Sequence, residues 1–337
     1  MILVTGGTGF VGSHLLYKLI CNGETVRAIK RSQSSLEMVQ KVFNRNRAQS
    51  LLQHIQWVEA DVLDQFSLID AMDGVKQVYH TAATVSFEPT GKRLMMQTNV
   101  TGTANVVDAA LETKVEKLCF VSSIAALGRT SANKPIDEQT HFSSSVKPSS
   151  YSISKFEAER EVWRGINEGL NAVIVNPSII LGAGDWNSGS AKLFQTVFNG
   201  LKFYTTGSNG FVDVEDVVKT MIIIMESDVK NDRFIISSEN IKYQQLFTWM
   251  AESLKVMPPK QKAGPLLSSI YWRALKIRSL ITGKTAVVTK ETARTAQQHY
   301  SYDNSKLLHQ FDFKYRPVRE TIELTADIFL QEVNKKA

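Results

Sequence analysis

Short β-branched and aliphatic runs alternate with amphipathic stretches through the first two hundred residues of this chain. Residues 2–4, 26–29, 55–58, 78–79, 118–121 and 172–175 read as buried strands. Between the first two, Phe10, Val11, Leu15, Leu16, Leu19 and Ile20 recur at helical spacing, and Gly23 closes the helix. Alternation at this spacing predicts an α/β fold: a doubly wound parallel Rossmann sheet with helices on both faces. After Gly182 the pattern loosens. Gly182, Gly184 and Gly189 mark loops, and Gly207-Ser208-Asn209-Gly210 reads as a turn. A helix over 215–225 and a strand over 233–236 look like late additions to the sheet. Residues beyond about 240 read as mostly helical, with a final helix over about 320–333. The expected division is a dinucleotide domain of residues 1–176, to which 211–238 return. A smaller, mostly helical substrate lid is expected from 177–210 and 239–337.

Composition narrows the class without changing that picture. With 337 residues the chain can bury a large core, and its hydrophobic and charged shares are those of a globular protein. Cys21 and Cys119 lie far apart and form no CxxC or Cys/His cluster, so neither a disulfide framework nor a metal site is expected. The longest aliphatic run, 221–225, is far too short to span a bilayer. No signal-like segment precedes Ile2-Leu3-Val4, and the expected location is the cytoplasm. A net charge of +6 does not by itself imply nucleic acid, which is not expected as a partner. The basic residues are scattered except between Lys255 and Arg294, where nine Lys/Arg face one acid, Glu291.

Two constellations carry chemistry. Immediately after the first strand, Gly6, Gly9 and Gly12 in Thr5-Gly6-Gly7-Thr8-Gly9-Phe10-Val11-Gly12 follow GxxGxxG. Such a loop lets the backbone approach a pyrophosphate and opens a helix whose N–H groups and dipole hold negative charge. Farther on, Tyr151 and Lys155 stand at i and i+4 on one helical face, and Ser122-Ser123 ends a predicted strand. A tyrosine titrating near ~10 is a poor proton carrier at neutral pH unless a nearby ammonium favours its phenolate. Lys155 can supply that charge.

These segments, with Asp61 in Ala60-Asp61-Val62, Thr81-Ala82-Ala83, Asn99-Val100-Thr101-Gly102-Thr103 and Asn176-Pro177…Gly182, resemble the extended short-chain dehydrogenase/reductase family. That family contains the NAD-dependent epimerases and dehydratases. The resemblance runs in order over nearly the whole chain. It implies hydride transfer between nicotinamide and a carbonyl or alcohol carbon, with no metal. Tyr151 would carry the proton, Ser123 rather than Ser122 would bind the substrate oxygen, and Lys155 would bind the ribose. It further implies that Gly6, Gly9 and Gly12 hold the pyrophosphate, that Thr8, Phe10 and Val11 also bind the cofactor, and that Asp61 and Val62 border the adenine. Thr81, Ala82 and Ala83 would line the cofactor, and Pro177 and Ile180 would lie near the nicotinamide.

Within the family, nucleotide-sugar enzymes often carry an Arg-Asp pair before the late strand motif, where this chain has Asn209 and Gly210. Phe203-Tyr204…Gly207…Phe211-Val212-Asp213-Val214 is more similar to dihydroflavonol 4-reductase and 3β-hydroxysteroid dehydrogenase relatives. The expected function is therefore reduction or oxidation of a small, apolar substrate. The alternatives are a nucleotide-sugar 4-epimerase or dehydratase, and a non-catalytic dinucleotide-binding redox sensor.

An acid about 20 residues beyond the loop selects NAD. Here 18 residues beyond Gly12 stands Lys30, followed by Arg31, and no carboxylate lies between Glu24 and Glu37. A guanidinium there pairs with a 2′-phosphate, so NADP(H) is expected over NAD(H). In the basic segment, Leu266, Leu267, Ile270, Tyr271, Ala274, Ile277 and Ile281 recur at helical spacing. This predicts a lid helix, with weak membrane-surface contact through 264–282 as the sharper reading. Beyond the small-molecule substrate, a second copy in a homodimer is the remaining expected partner.

Overall fold

The computed structural model describes residues 1–86, 89–129, 134–142, 148–264 and 295–334. The expected lid helix over 264–282 lies outside the described residues except for its first position, Gly264. The chain opens with β1 (Ile2–Thr5), α1 (Phe10–Cys21), β2 (Val26–Lys30), α2 (Glu37–Arg45), β3 (Ile55–Glu59), α3 (Gln65–Met72) and β4 (Gln77–His80). It continues through α4 (Lys92–Met96), a π-helical turn at Gln97–Thr101, α5 (Gly102–Glu112), β5 (Lys117–Val121), α6 (Ser150–Asn167) and β6 (Ala172–Pro177). Then come β7 (Ile179–Leu181), α7 (Lys192–Phe198), β8 (Phe203–Tyr204), β9 (Ser208–Asp213), α8 (Val214–Glu226) and β10 (Asp232–Ile236). The last described elements are β11 (Glu239–Lys242), α9 (Tyr243–Ser253), β12 (Gln261–Lys262), α10 (Ser305–Phe311) and α11 (Val318–Asn334).

The main sheet has seven parallel strands in the order β10-β6-β5-β4-β1-β2-β3. Alternate side chains feed two cores, as the two-residue period of a strand requires. Val4, Cys119, Val121, Val173 and Val175 face Leu15, Leu16 and Leu19 of α1 and Val217 and Met221 of α8. Leu3, Leu118, Phe120, Ala172 and Ile174 face Leu68 of α3, Val106 and Val107 of α5 and Val162 of α6. The chain begins in the middle of the sheet, and the direction of winding reverses between β1 and β4. A crevice therefore opens at their carboxyl ends, where open α/β sheets bind ligands.

A second, three-stranded sheet, β11-β9-β7, packs with α7, α9 and α11 around Trp186, Phe194, Phe211 and Phe329. Here the sequence expectation fails at one point. Gly207–Gly210 is not a turn, because Ser208, Asn209 and Gly210 begin β9 and pair with β11. A Cβ on Gly210 would stand 3.0 Å from both Ser178 Cβ and Tyr302 Cδ2. The glycine serves close packing inside a strand rather than reversal of the chain.

Candidate active site

Thr5 ends β1, and the next residue, Gly6, turns with φ +69°. A Cβ there would lie 2.5 Å from the Ala82 nitrogen, so only glycine admits the strand-end loop of β4 so close. Gly9 donates its N–H to the Gly6 carbonyl at 2.9 Å and precedes α1, and a Cβ on Gly12 would come within 2.9 Å of Gly7 Cα. No side chain caps α1, and no acid stands in its first turn. The free N–H groups and positive helix end are thus left for an external anion, the arrangement that suits a pyrophosphate. Thr8, Phe10 and Val11 lie on this loop and first turn, half-buried.

Next to it is a cleft of about 630 Å³ lined by Arg31, Ser32, Gln33, Glu59, Ala60, Asp61, Asp64 and Ser67. These residues follow the carboxyl ends of β2 and β3. Lys30 closes β2 and is half-buried, whereas Arg31 is exposed. The Arg31 guanidinium has no salt bridge among the described residues. Its backbone is held in a turn in which the Arg31 N–H donates to Ser34 Oγ and the Ser34 N–H to the Arg31 carbonyl. Asp61 is half-buried and accepts from the Leu63 N–H at 3.0 Å, while Val62 is buried against Gly102. A glycine cradle, an uncapped helix and a polar cleft at the ends of β2 and β3 fit a dinucleotide.

Sequence reading attached no role to His80, yet it joins these parts. The Ala82 N–H donates to Thr5 Oγ1, which meets His80 Nδ1 at 2.7 Å. On the other side His80 Nε2 meets Thr103 Oγ1 at 3.0 Å, and that hydroxyl donates to the Asn99 carbonyl. Since the Thr103 proton is committed to Asn99, His80 must donate from Nε2 and accept at Nδ1. Burial holds its pKa down to about 3, helped by the charge of Lys155, so the ring is neutral. Asn99, in the π-helical turn, donates to the Thr84 carbonyl and to Ser154 Oγ and accepts from the Thr84 N–H. Thr81 is fastened to the Thr5 carbonyl through both its N–H and its hydroxyl. The stretch 81–84 is thereby tied to β1 and to α6, with Ala82 half-buried and Ala83 exposed.

Ser149 caps α6 by accepting the Ser152 N–H, and Ser152 Oγ donates to the Ala125 carbonyl at 2.6 Å. This anchors the first turn of α6 over the loop that leaves β5 and brings the Tyr151 hydroxyl into hydrogen-bonding contact with Ser123. The two adjacent serines separate cleanly. Ser123 faces Tyr151, while buried Ser122 donates to Glu159 Oε2 at 3.1 Å. Burial pushes the Tyr151 pKa above its ordinary value, opposed by Ser123. Lys155 is 2% exposed, donates to the Val121 carbonyl at 2.8 Å and stands 4.7 Å from the Phe120 ring centroid. Burial lowers its pKa to about 8, while the Glu159 carboxylate acts the other way.

Pro177 ends β6 buried, and Ile180 lies half-buried in β7, opposite Val212 of β9. Asn176, Glu159 and Arg233 also escaped assignment from sequence. Glu159 continues the Tyr151–Lys155 face by one more helical turn, and that i+4 spacing was the available signal.

Glycine cradle, polar cleft beside it and Tyr-Ser-Lys cluster together define a dinucleotide-dependent α/β enzyme. The model of the NAD dependent epimerase/dehydratase family matches residues 2–237. A bifunctional dihydroflavonol 4-reductase/flavanone 4-reductase of Malus domestica is 25% identical over 296 residues, 83% of this chain and 84% of that one. Cinnamoyl-CoA reductase 1 of Petunia hybrida is 28% identical over 246 residues, 70% of this chain and 72% of that one. Among solved structures, that of gox2253 matches with a TM-score of 0.82 and 30% identity over 98% of both chains. The chain belongs to the NAD-dependent epimerase/dehydratase family and is an enzyme of the NAD(P)-dependent extended short-chain dehydrogenase/reductase type. No helix among the described residues is long and apolar enough to cross a membrane.

Proposed function

We propose that the enzyme reduces the carbonyl of a small, apolar substrate, or oxidises the corresponding alcohol, and that it prefers NADP(H). The observation that carries this reading is the half-buried Tyr151–Ser123 contact with the buried Lys155 ammonium one helical turn away. A nicotinamide bound there would supply or accept the hydride. Ser123 donates a hydrogen bond to the substrate oxygen, and Tyr151 delivers or removes its proton. A tyrosine held above its usual pKa keeps that proton in the free enzyme, which suits the reductive direction. The glycine loop and α1 would hold the pyrophosphate, Asp61 and Val62 the adenine, and Lys155 the ribose. Pro177 and Ile180 would meet the nicotinamide.

The apolar substrate class is favoured by the position where nucleotide-sugar enzymes often carry arginine. Asn209 is buried, with its amide on the Tyr243 hydroxyl at 3.3 Å, and Gly210 is packed against Ser178 and Tyr302. Neither offers charge to a diphosphate. The reductase names of the two curated relatives point the same way.

Tyr151→Phe is expected to lower turnover by about 10²–10⁴-fold with cofactor affinity nearly intact, since only the proton path is lost. Oxidation of reduced cofactor across a panel of aromatic and alicyclic ketones tests this. Wild-type rates in the variant would remove Tyr151 from the chemistry. Cofactor binding without turnover on any ketone would favour a sensor.

A further inference from the structure

We propose that Glu159 is a positioning residue that holds Lys155 in its ammonium form and locks the carboxyl end of β5 beneath Ser123. The proposal rests on the reading of Lys155 as a cofactor-binding cation. Lys155 and Glu159 are each 2% exposed and lie one turn apart on α6. They grip consecutive residues of one chain segment: Lys155 Nζ on the Val121 carbonyl at 2.8 Å, and Glu159 Oε2 on the Ser122 hydroxyl at 3.1 Å. Asn176, from β6, closes the frame. Its amide donates to Glu159 Oε2 at 3.3 Å and to the Ser123 carbonyl at 3.0 Å. Glu159 is thus linked through one residue, Asn176, to the peptide that carries the serine of the site.

The charges around the pair are few. Facing Lys155 are the Val121 carbonyl and Phe120 ring of β5, neutral His80 of β4, and Glu159 on its own helix. Facing Glu159 are Ser122, Asn176, Lys155 and Arg233 of β10, whose Nη1 lies 3.6 Å from Oε1. Arg233 is only partly engaged there, because its Nε and Nη2 donate to the Glu138 carbonyl. Glu159 Oε1 is buried and accepts no hydrogen bond. No direct salt bridge joins Lys155 to Glu159, so the coupling acts through space inside a dry core, where charges are weakly screened. A buried ammonium without a counter-charge loses its proton readily. Burial raises the Glu159 pKa, with Arg233, Ser122, Asn176 and Lys155 opposing it. The two groups therefore sustain each other's ionised forms.

The coupling must be reciprocal, which gives two independent variants. In full-length enzyme labelled at lysine Cε and glutamate Cδ, Glu159→Gln is expected to lower the Lys155 midpoint by about one pH unit or more. The pH at which NADPH affinity falls on the alkaline side should move down with it, while affinity near pH 6 stays close to wild type. Lys155→Met, identified by loss of its own resonance, is expected to raise the Glu159 midpoint by a comparable amount. An unmoved Lys155 midpoint in folded Glu159→Gln, or an unmoved Glu159 midpoint in Lys155→Met, would overturn the proposal. If both midpoints move but Lys155→Met binds NADPH like wild type at pH 7, the coupling stands and the cofactor role of Lys155 fails.

Discussion

Arg31 shows what one exposed side chain can decide. It stands at the lip of the cleft at the ends of β2 and β3, free of any salt bridge among the described residues, while Glu59, Asp61 and Asp64 line the same cleft. A 2′-phosphate bound there would meet both the guanidinium and these carboxylates, so the proposed NADP(H) preference rests on Arg31. Charge-assisted hydrogen bonds contribute about 1.5–3 kcal/mol, or roughly 10–100-fold in affinity. Arg31→Asp should therefore weaken NADPH binding by that factor and leave NADH binding equal or improved. Calorimetry at moderate salt reads both, and a wild type that binds NADH as tightly as NADPH would end the NADP(H) assignment.

At the scale of elements, helices are fastened to the sheet by polar side chains placed at their ends. Asp213 caps α8 through the Glu215 N–H and also accepts from Arg316 and Thr321, joining α8 to the segment that starts α11. At the other end of α8, Lys117 of β5 is buried and donates to the carbonyls of Ile224 and Ser227, both at 2.7 Å, and of Met225 at 3.3 Å. A cation at a helix C-terminus satisfies orphan carbonyls and meets the negative end of the dipole. Lys117→Met keeps the stem but strands those carbonyls, and should lower stability by about 1.5–3 kcal/mol. A urea midpoint equal to that of wild type would show that water replaces the ammonium without loss.

For the molecule as a whole, His80 sets a pH limit. It connects β1, β4 and α5 only as a neutral ring, because protonation at Nδ1 would turn the acceptor of the Thr5 hydroxyl into a donor. Its pKa is about 3 folded, against ~6.5 for an unfolded histidine. Between those values the unfolded chain binds a proton that the folded one refuses. Stability is thus fully present above ~6.5 and declines as pH falls toward 3. His80→Gln should have a smaller drop in urea midpoint between pH 7 and pH 4 than wild type. Equal drops in the two proteins would mean that other groups dominate acid unfolding.

Much of this was readable along the chain because it depends on local rules. The strand runs and the helix after them follow from side-chain periodicity, the cradle from three glycines that must turn beside a strand, and the Tyr151–Lys155 face from i+4 spacing. Those features need only neighbours in sequence. Gly210 was misread because a glycine signals a turn and a close approach alike, and only Ser178 and Tyr302, brought in from afar, tell the two apart. The partners of His80, Asn99, Glu159 and Arg233 come from separate strands and helices, so no spacing records them. Residue types and their periods determined which chemistry the chain could carry. Tertiary packing decided that Ser122 turns to Glu159 and which charges are buried together, because burial and distance, rather than order along the chain, set hydrogen bonding and pKa.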